Sequence, residues 1–327
     1  MIGTIRRAAE ALVETTRVSF SRATLALFDH APYPLADTLD HHGDPGLLGP
    51  DSVSWRVIAD PAAIVGGLRG LLVQAAHPEV VAGVKDHSRY QSDPFGRLSR
   101  TSAYVTATTF GSMPEVEEAV ERVKRIHQVI HGVSSRGRPY DANDPGYSAW
   151  VHNALTESFL NVNQAYAARV LTPHEADRFV YEQTRIGALL GSDPMPTSAP
   201  ELSAWVAGHP DLAPSEEMAE VVEFLTDPPL SRGVKTAYLV LLQAAVATTP
   251  QRIRSILGVE AGPAARAVGR AGVMSLRWAL GYSPSWALAL ARNDRAVPWD
   301  LIKHAPPGLT QGGGSEAGHE SGGEGGI

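Results

Sequence analysis

Four stretches of the chain open with the same local chemistry: Thr172-Pro173 with Glu175, Ser198 with Glu201, Asp93-Pro94, and Thr249-Pro250. Thr, Ser or Asp at an N-cap accepts a backbone amide that the first helical turn leaves unpaired. Proline at the first helical position gives up an N–H that had no intrahelical partner, and a Glu three residues after the cap bonds back to it. Behind each start, apolar residues recur at three and four, and Gly, Pro and Asp punctuate the ends. Two-residue alternation is hard to find. These starts restrict the fold to an all-α class: about ten helices joined by short loops, in a single multi-helix domain over residues 45–305. No period of 20–50 residues marks a solenoid. Residues 1–44 read as an N-terminal helical arm.

The tail "GLTQGGGSEAGHESGGEGGI" has almost no apolar residues and cannot offset the entropy of ordering, so 306–327 are expected to be disordered. Its glutamates, Glu316, Glu320 and Glu324, carry three of the seven net negative charges and leave −4 on the rest. An acidic balance without any Lys/Arg run argues against nucleic acid as a partner. Cysteine is absent, which removes disulfides, thiolate-ligated haem, zinc–thiolate clusters and iron–sulfur centres together. A metal must then be held by His or carboxylate. Glu10 and Glu14 interrupt what would be a signal peptide, and the apolar run Ala237–Ala247 contains Gln243 and is far shorter than the ~20 residues of a membrane span. A cytoplasmic protein with no stable membrane anchor is the expectation.

In "PEVEEAVERVKRIHQVIHGV" the apolar residues Val116, Ala119, Val120, Val123, Ile126, Ile130 and Val133 form a helical stripe. His127 falls about 60° from the stripe's centre and His131 about 100° from it, so His127 points inward and His131 sits at the border. On one helical face the pair suits a metal, a haem iron, or packing alone. A zinc protease needs Glu directly after the first His as its general base, and Gln128 stands there. Haem needs only one axial imidazole on an apolar face, which His127 supplies.

A haem pocket also needs cations for its propionates and a polar group for oxygen. Arg97 and Thr101 share a face at i and i+4, with Arg100 on the neighbouring row, in surroundings poor in charge. A guanidinium is always protonated and has no lone pair for iron, so these arginines pair with carboxylate or steer oxygen. Gly66, Gly67 and Gly70 permit close helix or ligand approach, but no G-x-G-x-x-G spacing follows a strand. His77-Pro78 breaks one helix and starts another. His152, beside Trp150, is a second inward histidine of structural type.

Taken in order, "GLRGLLVQAAHPEVVAGVKDHS", "DPFGRLSRTSAYV", "RIH" at 125–127, "YDANDPGYSAWVH" and "GALLGSDPMP" resemble the oxygenase family that joins rubber oxygenases (latex-clearing proteins) to the fungal oxygenase MpaB. The likeness spans about residues 45–295. It implies an all-helical fold with a globin-like core, a b-type haem on one histidine, and oxidative cleavage of an isoprenoid double bond with dioxygen. By resemblance the axial ligand falls on His127, with His131 the fallback if the register slips by a turn, and the distal Arg and Thr fall on Arg97 and Thr101. Rubber oxygenases carry a lysine, able to ligate iron, where Arg100 stands; an open or water-occupied sixth position is therefore expected. Glu79 is the nearest acid to their acidic catalytic residue. The missing secretion signal and anchor favour a small hydrophobic substrate over polyisoprene. A non-catalytic helical haem or lipid carrier and a His-ligated metal hydrolase are the alternative functions.

Overall fold

The computed structural model describes residues 11, 13–19, 21, 22, 24, 30–88, 92–304, 306 and 309. Eighteen of the 44 residues of the arm and nearly all of the tail expected from sequence lie outside them. From Thr38 onward the described residues form one 3-10 turn, thirteen α-helices and a two-stranded sheet. The architecture is the all-α one expected, with more and shorter helices than ten.

Capping chemistry sets most starts. The Asp93 carboxylate accepts from Gly96 N at 2.9 Å and opens α4 (Pro94–Phe110). Thr172 and Glu175 close a reciprocal box at the head of α7 (Pro173–Leu189). Ser198 caps α8 (Ala199–Gly208). Thr249 departs from the pattern: its hydroxyl donates back to Ala245 O at 3.0 Å, finishing α10 (Arg232–Thr248), and α11 (Gln251–Leu257) starts without a side-chain cap. A β-region threonine hydroxyl has two local offers, and here the preceding helix wins.

The centre is α2 (Ala62–Ala75) against α6 (Pro145–Tyr166), joined by α10 and α12 (Ala265–Leu280). Two of the glycines singled out in the sequence explain the approach. A Cβ on Gly66 would lie 2.5 Å from the Phe159 ring, and one on Gly70 would lie 2.7 Å from Leu155. Between them Arg69, fully buried, forms a two-pronged pair with Glu157 and also donates to Ser158 Oγ at 2.7 Å and Thr248 O at 3.1 Å. A buried guanidinium needs such a set of acceptors to offset its lost hydration. The run Ala237–Ala247 lies in α10, with Leu242, Ala244, Ala245 and Val246 buried. Among the described residues no single helix is long and apolar enough to cross a membrane; α1 (Val53–Ala59) and α2 pass only as a pair bent by 91°.

A smaller core gathers Leu35, Trp55, Phe110 and Leu288, with the Trp55 and Phe110 rings edge-on at 5.7 Å. It seats α4 and α13 (Pro284–Arg292) on α1. Arg292, also fully buried, donates to Asp44 O at 2.8 Å and to the Thr38 hydroxyl, tying residues of the expected arm to the last helix.

Candidate functional site

Only Gly111 and Ser112 separate α4 from α5 (Met113–His127). Ser112 and Glu115 close a capping box, and a Cβ on Gly111 would lie 2.5 Å from Ala107 O, so the turn is tight and the helices pack on each other beyond it. Arg97 precedes the end of α4 by 13 residues and His127 follows the start of α5 by 14. At 1.5 Å per residue each lies about 20 Å of helix from the shared turn.

The outcome for the two histidines is split. Val116 and Val120 are buried, Val123 is half-buried, and His127 continues their line, half-buried. Burial lowers the pKa of His127 below the ordinary imidazole value and favours the neutral, ligating form. Its carbonyl accepts from Asn143 Nδ2 at 3.2 Å, while no hydrogen bond engages its ring among the described residues. His131, in contrast, is not on that helix. α5 ends at His127, and His131–Val133 pairs antiparallel with Pro139–Asp141 as strands β1 and β2. The i, i+4 face inferred for the two imidazoles therefore does not exist. His131 is exposed and presents its carbonyl to His87 Nε2 at 3.2 Å. The helix stops because the hairpin is held from outside. Arg136 and Ser134 bond the buried carboxylate of Glu79, and Ser135 bonds Glu217. Glu79 is thus engaged as a clamp, which its Arg136 partner keeps below the usual carboxylate range against the effect of burial.

On α4, Arg97 is half-buried, Thr101 is exposed, and Tyr104 follows on the same face at 100° per residue. The Tyr104 hydroxyl is buried without a hydrogen-bond partner, and burial raises its pKa. Arg100 is exposed and reaches back to the Asp93 cap at 3.3 Å, the ordinary duty of a surface arginine. Around the end of α5, Ile126, Val129 and Val133 are 47%, 64% and 63% exposed. A groove of about 330 Å³ beside Val116, Val120, Lys124 and Leu189 runs along the same helix. The uncovered Ile126, Val129 and Val133 and the unpaired His127 ring fit the edge of an apolar prosthetic group such as haem. The Tyr104 phenol lies apart from them, about 9 Å of helix from the α4–α5 turn against about 20 Å for His127.

Residues far apart in sequence make a second cluster that spacing could not reveal. His77, at the α2–α3 break (α3, Pro78–His87), meets His209 with ring centroids 5.3 Å apart, and Asp211 lies beside them. Tyr147, Trp150 and Trp205 wall this cluster. Burial, reinforced by His209, lowers the pKa of His77 to about 4. His152 has the structural role expected: its Nε2 bonds Gln183 O at 2.8 Å, and burial lowers its pKa to about 4.

No curated protein and no solved structure matches the chain at a significant level. A family model does, described as ER-bound oxygenase mpaB/B'/Rubber oxygenase, catalytic domain, over residues 55–278. That span takes in α1 through most of α12 and therefore both clusters. The chain belongs to this family of oxygenase catalytic domains.

Proposed function

We propose that the chain is a haem b-dependent oxygenase that uses dioxygen on a small apolar molecule, an isoprenoid alkene by resemblance, with His127 as axial ligand. One observation carries the assignment: the half-buried His127 ring continues a buried valine line, has no hydrogen-bond partner among the described residues, and has the exposed Ile126, Val129 and Val133 within six residues of it in sequence. When bound, haem supplies the one-electron and oxygen chemistry that side chains lack. The chain's part is to hold and orient it. His127 would supply the ligating nitrogen, with its backbone held by Asn143. Arg97 would pair with a propionate or a developing negative charge, and the Thr101 hydroxyl would offer a hydrogen bond. Arg100, exposed and paired with Asp93, has no lone pair with which to ligate iron. The apolar rim favours a hydrophobic substrate.

The test is the absorption spectrum of purified protein supplied with haem, followed by oxygen uptake with candidate alkenes. A Soret band at one haem per chain, lost in His127→Ala and kept in His131→Ala, is expected. Loss in His131→Ala alone would move the ligand, and haem retention without alkene-dependent oxygen uptake would make the protein a carrier.

A further inference from the structure

The His77 cluster uses none of the residues assigned to haem. We propose that His77, His209 and Asp211 form a second, non-haem site for a divalent transition ion of the zinc, iron(II) or cobalt(II) class. The three side chains offer ligand atoms that all lie within 4.8 Å of one another. They converge because two chain breaks are stapled together. His77 is the extended residue ahead of Pro78, His209 follows the last residue of α8 and precedes Pro210, and Ala213 N donates to Ala76 O at 3.2 Å.

His77 itself points to a ligand. It is 2% exposed, and its Nδ1 is buried with no hydrogen-bond partner. The nearest acid, Glu79, is 3.5 Å away and turned to Arg136. A buried imidazole nitrogen left unpaired is unfavourable unless something completes it. The His77 and His209 rings meet at 5.3 Å, tilted by 58°. The His209 ring makes one long hydrogen bond, accepted at Nδ1 from Asp211 N at 3.4 Å, which a metal would displace. Asp211 accepts from Arg138 through Oδ1 at 3.0 Å, a bond that orients the carboxylate and leaves Oδ2 for a metal. Two neutral imidazoles and one carboxylate are the donor set of catalytic zinc and non-haem iron(II) sites with open positions, and a poor one for magnesium or calcium. Trp150 and Trp205, 4.9 and 4.8 Å from the His209 ring, exclude water from one side.

Calorimetric titration of the chelator-treated full chain with Zn²⁺ tests this, together with cobalt(II) visible absorption on protein prepared without haem. One equivalent of tight binding is expected, weakened on the order of 100-fold in His209→Ala and in Asp211→Asn, with circular dichroism confirming that both variants fold. Both residues are only half-buried, so these variants spare the core. His127→Ala should bind zinc like the unmodified chain, which separates this site from the haem assignment. No saturable zinc uptake, or an affinity in both cluster variants equal to that of the unmodified chain, would overturn the proposal.

Discussion

The α2–α6 centre and the far end of the α4–α5 pair use the same helical geometry to opposite ends. In the centre, Gly66 and Gly70 bring helices close, and the Arg69 fork finds Glu157, Ser158 and Thr248. At the α5 end, no hydrogen bond engages the His127 ring among the described residues, while isoleucine and valine side chains face outward. Arg69 Nε stays without a partner, yet the rest of the fork is densely paired, and that pairing marks the part that holds the molecule together. Sparse pairing and uncovered apolar surface mark the part to which we assign the ligand.

Removing the fork should break the contrast most severely. Arg69→Ala strands the Glu157 carboxylate in the core and should lower unfolding free energy by about 3–5 kcal/mol in denaturant titration. Arg69→Met with Glu157→Leu should recover most of that loss; equal damage in single and double variants would show that the fork is not what saturates the centre.

The next effect is a pH dependence. His152 has a folded pKa near 4 against an ordinary value near 6.5, so between those values the unfolded chain binds more protons. Stability from this group is therefore full above pH 6.5 and declines as pH falls toward 4, by up to about 3 kcal/mol. His152→Gln, which can still donate to Gln183 O, should flatten that slope. An unchanged slope would assign it to other histidines.

At the open end, effects should fall on the ligand and spare the fold. Arg97→Ala should weaken haem retention by about 1.5–3 kcal/mol, the scale of a lost charge-assisted contact, read against the unmodified chain in haem titration. Smallest of all, Arg100→Ala should change stability by about 0–0.5 kcal/mol, since its Asp93 partner is exposed. Arg100→Lys should permit a six-coordinate low-spin spectrum at high pH, as an amine can surrender its proton to bind iron. Its absence would place residue 100 away from the iron.

Helix starts were legible because capping is local: Asp93 needs only Gly96, and Thr172 only Glu175. The end of α5 was not. Gln128, Val129 and Ile130 carry no Gly or Pro stop and continue the apolar period, and what ends the helix is Glu79 and Glu217 seizing residues 134–136 from other helices. The inward side of His127 could be read from its phase, since Val116 and Val120 anchor the same line. His209 and Asp211 sit 132 and 134 residues after His77, and no periodicity links such distances.

The β1–β2 hairpin has one further consequence. It is three residues long on each side, its outer rungs face solvent, and it is fastened to the body through Glu79 and Glu217. Amides in such an element exchange with solvent through brief local openings, whereas those of α2 and α6 exchange only when the whole molecule opens. The segment that follows His127 is therefore expected to exchange on a faster clock than the helices behind it.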